Sequence, residues 1–104
     1  MKSEIITRIW HGTTKAEDAD EYLKYVIKTG VEDYIKTPGN LSVKILRRRE
    51  AGICHFWTVT TWDSVENIKK FAGEDHEKAR YYEKDAEYLL EFEPHVIHGE
   101  TFEF

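Results

Sequence analysis

"CHFWTVTTW", residues 54–62, holds Phe56, Trp57, Trp62, Val59 and three threonines, with no acid, lysine, arginine, glycine or proline among its nine positions. β-Branched and aromatic side chains suit a pleated, half-buried surface, so the stretch is expected to be a strand. Neighbours in a strand point to opposite faces, which puts His55, Trp57, Val59 and Thr61 on one side. Cys54, Phe56, Thr58, Thr60 and Trp62 take the other. Each side carries a large aromatic, and the chain has only 104 residues with which to cover both.

Working outward, Glu50-Ala51-Gly52 turns the strand, read over residues 53–62, back onto residues 41–49, "LSVKILRRR", as a hairpin. On the far side, Asp63 or Ser64 caps a helix whose Val65, Ile68, Phe71 and Ala72 share a face, and Gly73 ends it. The first strand is read over residues 4–11, "EIITRIWH". Its Ile5/Thr7/Ile9/His11 and Ile6/Arg8/Trp10 sets are both credible as the inward face. Gly12-Thr13-Thr14 breaks that pattern, and Thr14 with Glu17 fits a capping box. The helix that follows carries Ala19, Tyr22, Leu23, Val26, Ile27, Gly30, Val31, Tyr34 and Ile35 at three- and four-residue steps. Gly30 is expected to loosen it, and Pro38-Gly39-Asn40 to stop it. After Glu74-Asp75, Ala79, Tyr82, Ala86, Leu89 and Leu90 continue at helical spacing up to Pro94. A last strand is expected from His95 to Phe104, with Val96, His98, Phe102 and Phe104 on one side.

The order β-α-β-β-α-β, with right-handed crossovers, makes an α+β, ferredoxin-like split βαβ fold in one domain spanning 1–104. Its four-stranded antiparallel sheet places strand three beside strand one. Helices then cover one face, and the chain has nothing left for the other. A second copy packed sheet against sheet about a two-fold axis is the expected cover, so the chain is read as a homodimer.

Lys and Arg total 15 against 20 Asp and Glu, a net charge of −5, which excludes a general nucleic-acid binder. No apolar run reaches membrane-spanning length and the N-terminus lacks a signal-peptide core, so a cytoplasmic protein with no membrane partner is expected. One cysteine, Cys54, excludes an intrachain disulfide or a multi-cysteine zinc site. Arg47-Arg48-Arg49 reads as a solvated hairpin end, with an anion clamp as the alternative.

Residues 8–14 "RIWHGTT", 56–75 "FWTVTTWDSVENIKKFAGED" and 99–104 "GETFEF" resemble the antibiotic biosynthesis monooxygenase (ABM) superfamily of dimeric α/β-barrel proteins. The most specific piece is the Trp62-Asp63-Ser64 junction with Phe71 nine residues past the tryptophan. The resemblance implies a homodimer with a pocket between sheet and helices in each subunit. The activities it implies are cofactor-independent oxygenation of phenolic or quinol-like molecules, quinol oxidation, or haem degradation. The haem-degrading branch uses an Asn on the first strand, a Trp on the second helix and an iron-ligating His about ten residues later. Here the asparagines are Asn40 and Asn67, Phe71 replaces the Trp, and Tyr81 stands ten residues on, with His76 at half that spacing. Haem degradation is therefore not expected.

Oxygenation of an ionised phenol needs an apolar pocket with one base or cationic partner. The candidates are Trp62, Phe71, Tyr81 and Tyr82 as substrate-binding walls around a small aromatic molecule, His76 or His11 as the base, and Arg8 as the anion partner. The bland alternatives are an exposed helix-start histidine at 76 and packing roles for the tryptophans. His95 and His98 project to opposite faces of a strand, whereas antiparallel pairing can bring His11 near His55. With no acid in sight to complete the latter pair, neither a metal nor a cofactor is expected. The rival function is a non-catalytic small-ligand-binding or stress-response dimer.

Overall fold

The computed structural model describes residues 4–104. Strand β3, Ile53–Trp62, has the expected bounds and buries alternate residues along its whole length. It pairs antiparallel with β2, Asn40–Glu50, across a two-residue turn. Ala51 (φ 51°) and Gly52 (φ 83°) both take the left-handed conformation that lets a tight turn follow the twist of its strands. On its other edge β3 pairs with β1, Ile5–Lys15, which in turn pairs with β4, Ile97–Thr101. The sheet order is β2-β3-β1-β4, antiparallel throughout, as the split βαβ reading requires.

Burial settles which face is inward. Cys54, Phe56, Thr58, Thr60 and Trp62 of β3 and Arg8 and Trp10 of β1 are buried beneath the helices. The register then assigns Ile9, Val59 and Ile97 to one row of the opposite face, and His11, Trp57 and Leu46 to another. That face stays partly open: Leu46 and Ile97 are 58% and 67% exposed.

Three expectations are corrected. β1 does not stop at Gly12 but runs to Lys15, and no capping box forms. Thr13, Thr14 and Lys15 instead pair with His55, Cys54 and Ile53, and Thr14 Oγ1 donates to the Lys15 carbonyl. Ladder bonds over three residues replace one side-chain cap. The helix begins as a 3-10 turn, Ala16–Asp18, and continues as α1, Ala19–Val26, a π turn, Ile27–Val31, and α2, Glu32–Lys36. Gly30 lies in the π turn, the loosened turn its position predicts. Helix α3, Val65–Ala72, starts at Ser64, whose Oγ accepts from the Asn67 backbone N–H at 3.2 Å, and ends at Gly73 with φ 95°.

The second correction concerns the helix expected from 79 to 90, which shrinks to α4, Asp85–Tyr88. Backbone groups that a helix would pair internally go elsewhere. The Leu90 N–H bonds the Thr13 carbonyl and the Ala79 N–H the Pro94 carbonyl, both at 2.9 Å. Because β4 pairs with only the first half of β1, Leu89 fills the free edge beside Thr14. The third correction follows from the second: residues 95 and 96 belong to this connection, and the last strand is confined to Ile97–Thr101, leaving Phe102 and Phe104 exposed. Among the described residues, no helix is long and apolar enough to cross a membrane.

Gly12 keeps β1 close to its own tryptophan. A Cβ there would stand 2.5 Å from Trp10 Cη2. Gly12→Ala is expected to displace the indole and destabilise the fold by about 1–3 kcal/mol, the usual range for overpacking, measurable as a lower urea midpoint. An unchanged midpoint would show that Trp10 moves freely.

Candidate active site

Trp10 of β1, Tyr34 of α2, Phe71 of α3 and Tyr82 from the chain after α3 enclose a cavity of about 30 Å³ between sheet and helices. Each is there for a local reason. Trp10 belongs to the inward set of β1. Phe71 lies on the buried stripe of α3 and stacks on Tyr34, with ring centres 4.3 Å apart and planes 25° from parallel. Tyr34 is anchored by its hydroxyl to Thr58 Oγ1 at 3.1 Å. The π turn places Gly30 at the cavity edge, where even a Cβ would come within 3.9 Å of the Tyr34 and Tyr82 rings.

Two charged residues reach this aromatic cavity. Asp85 is 4% exposed, with Oδ1 accepting from the Tyr22 hydroxyl at 3.0 Å and Oδ2 from the Tyr82 backbone N–H at 2.6 Å. Burial pushes its carboxyl above the ordinary aspartate value, and those two hydrogen bonds oppose the rise. The Tyr22 phenol is pushed up by burial and then by the Asp85 charge, which makes it a proton donor to Asp85 rather than a competitor for the negative charge.

Arg80 closes the mouth. Its guanidinium lies 4.8 Å from the Phe71 ring centre and 5.0 Å from that of Tyr82. It donates to the Phe71 carbonyl at 3.0 Å and to Asp33 Oδ2 at 3.1 Å, and Asp33 Oδ2 also accepts from the Tyr82 hydroxyl at 2.7 Å. Asp33 on α2 thus latches the Arg80 and Tyr82 side chains across the opening. A cavity of about 30 Å³ holds a water but not an aromatic ring, so its walls must move to admit one.

The residues singled out in the sequence fall into separate places. Phe71 and Tyr82 line the cavity. Tyr81 stands behind Trp10, edge-on at 6.3 Å, and donates its hydroxyl to the Glu93 carbonyl. Trp62 is fully buried behind Tyr34 and Phe71, its Nε1 donating to Thr60 Oγ1 at 2.8 Å. Arg8 is 1% exposed and holds the chain beyond α3, donating to the His76 carbonyl at 2.6 Å and the Lys78 carbonyl at 3.2 Å. Neither His76 nor His11 lines the cavity. His76 packs against His98, with ring centres 5.0 Å apart. His11 faces the open side of the sheet, where its Nε2 lies 2.9 Å from His55 Nδ1 and its Nδ1 bonds Glu93 Oε2. The expected proximity of His11 and His55 is present, and Glu93 is the acid that their strands alone do not reveal.

Sequence reasoning missed Asp33, Arg80 and Asp85. For Asp85 a signal existed: it lies three residues after Tyr82 and four before Leu89, so a helical reading puts a carboxylate on the apolar stripe. Arg80 and Asp33 carried none, because only the irregular path of residues 74–84 brings the one to the other.

No protein-family model and no curated protein sequence matches the chain. Solved structures do match its fold. A Nitrosomonas europaea protein provisionally described as an antibiotic biosynthesis monooxygenase superposes with a TM-score of 0.68 at 15% identity, over 97% of this chain and 93% of its own. A Caulobacter crescentus protein of the same provisional description gives 0.67 at 16% identity, over 97% and 92%. SnoaB, a cofactor-independent oxygenase from Streptomyces nogalater, gives 0.60 at 13% identity, over 98% and 95%. The ferredoxin-like fold of ABM structures is therefore the fold of this chain, over nearly its whole length.

Proposed function

We propose that the chain is a cofactor-independent oxygenase of a small phenolic or quinol-like molecule, with Asp85 as the base and Arg80 as the partner of the substrate anion. The observation that carries this reading is a carboxylate 4% exposed in the wall of an aromatic cavity, bonded to a phenol and a backbone N–H. The likeness to SnoaB adds support at the level of fold.

Each step is within reach of the groups present. Asp85 takes the proton of the substrate hydroxyl, and the Arg80 guanidinium faces the resulting phenolate. The electron-rich ring passes one electron to O₂, and the aryloxyl radical and superoxide join at a ring carbon that carries hydrogen. Asp85 returns its proton to the peroxide. The O–O bond then breaks, the ring carbon loses its hydrogen, and a carbonyl and one water remain. One oxygen atom stays in the product and the other leaves in water. Trp10, Tyr34 and Phe71 hold the ring and exclude solvent.

Oxygen uptake with a panel of naphthols and hydroquinones, against their uncatalysed autoxidation, tests the reading. Turnover above that background is expected. Binding without uptake would favour the second reading, a dimer that holds a small ligand without turnover, which the closed latch between Arg80, Asp33 and Tyr82 also fits. His76 carries no proton in this scheme, so His76→Ala is expected to leave the uptake rate unchanged.

The same reading makes the protein a cytoplasmic homodimer joined through the open face of the sheet. The rows Ile9–Val59–Ile97 and His11–Trp57–Leu46 form a band on that face, apolar apart from His11 and left partly open, with Leu46 and Ile97 exposed. Trp57→Glu is expected to weaken association by ~30-fold or more, the effect of losing a central aromatic anchor. Sedimentation would then shift toward the 12.3 kDa chain mass. Wild-type protein sedimenting as a single chain at micromolar concentration would end the dimer reading.

A further inference from the structure

We infer that His76, Glu77 and His98 form a binding site for one divalent transition-metal ion of the zinc class. Two imidazoles and a carboxylate, with their ligand atoms all within 4.8 Å of one another, converge where the chain leaving α3 passes beside β4. His76 Nε2 stands 3.6 Å from Glu77 Oε1, and His98 Nδ1 stands 3.4 Å from Glu77 Oε2. Ligand atoms ~2.1 Å from a shared tetrahedral ion stand ~3.4 Å apart, and the two His–Glu77 edges are near that length, one at Oε1 and the other at Oε2, so a turn of the carboxylate is needed to bring one oxygen to both. The third is closed by the side chains of His76 and Glu77, which are 24% and 55% exposed and have room to turn.

The backbone holds the three groups together without an ion. The Val96 N–H bonds the Glu77 carbonyl at 2.9 Å, and Lys78 bridges to His95. Arg8 fixes the carbonyls of His76 and Lys78 from beneath. Arg8 also donates to His98 Nε2 at 3.1 Å, which orients the ring with Nδ1 toward Glu77. The same guanidinium repels a cation, an effect that the Glu77 carboxylate offsets. An ion at Nδ1 takes the neutral ring as its other tautomer, with the proton on Nε2, so the Arg8 contact there opens on binding.

The other histidine pair is built differently. His11 has Nδ1 bonded to Glu93 and Nε2 to His55, so its two nitrogens point to two partners and not to one shared point. It serves as the control.

The test is a Co²⁺ titration of the chelator-stripped full chain, followed by visible d–d absorption, with Zn²⁺ then added to displace the cobalt. One ion per chain is expected. His76→Gln, Glu77→Gln and His98→Gln should each weaken binding by about tenfold or more, and His11→Gln should leave it unchanged. His76→Gln and Glu77→Gln alter partly exposed side chains, and their metal-free melting temperatures check that the fold is kept. The inference falls if no d–d band develops up to millimolar Co²⁺, if His76→Gln and Glu77→Gln bind like wild type, or if His11→Gln removes the band. The readout is binding alone, so its failure leaves the oxygenase reading untouched.

Discussion

Asp85→Asn is expected to lower the rate of oxygen uptake by ~10²–10⁴-fold, the usual contribution of a positioned general base. The amide keeps the shape of the carboxylate and one of its two acceptors, that toward the Tyr22 hydroxyl, and gives up the bond from the Tyr82 backbone N–H. What it loses is the capacity to take a proton. The pH dependence separates this from a packing effect. Burial raises the Asp85 pKa, so the basic form is populated only above the ordinary carboxylate range, and the wild-type rate should climb as pH rises through that raised value. The asparagine variant should show no such limb.

Stability should run the other way. The folded state holds the Asp85 proton to higher pH than the unfolded chain does. The stabilisation from this group is therefore complete below the ordinary aspartate range and is lost as pH rises through the raised folded value. A wild-type protein that gains rate and loses stability across one pH window, beside a variant that does neither, would identify Asp85 as the base. Equal uptake in both proteins at neutral pH would remove it.

The same residue shows why the sequence discloses the frame of this protein better than its chemistry. Strand β3 is legible because alternation and residue type agree along all ten positions, Ile53–Trp62. Ser64 and Gly73 mark the ends of α3 through local backbone chemistry, and both act as expected. The stretch from 74 to 94 is different. Its apolar spacing is helical, yet Leu89 and Leu90 meet a free sheet edge at Thr13 and Thr14, and tertiary hydrogen bonds prevail over local helical propensity, which tertiary context routinely overrides. Arg80, Asp85, Glu77 and Glu93 all lie on that stretch. The cavity, its latch to Asp33 and the two histidine clusters therefore depend on a path that no local pattern encodes. Phe71 and Tyr34 lie on stripes that helical spacing reveals, whereas Tyr82, Arg80 and Asp85 sit on that irregular stretch, and Trp62 and Tyr81, expected as walls, stand outside the cavity.

Trp62→Ala is expected to cost about 3–5 kcal/mol of folding stability, the range for removing a fully buried large aromatic. Trp62 has no exposed surface, packs against Tyr34 and Phe71, and satisfies its Nε1 on Thr60. Truncation leaves a void behind the two stacked rings that wall the cavity, and it removes a donor from a buried threonine whose hydroxyl still donates to the Arg8 carbonyl. A lower urea midpoint with an unchanged slope would locate the loss in the folded state. The consequence for the site follows from the direction of collapse. With Trp62 gone, Phe71 can retreat from Tyr34, and the Arg80 guanidinium that rests on Phe71 follows it. Millimolar indole, a close match to the missing side chain, should then raise the melting temperature of the variant and leave that of the wild type unchanged. Indole that fails to stabilise the variant would mean that the neighbouring rings have closed the void, and oxygen uptake should in that case fall along with stability, because the cavity walls would have left their places.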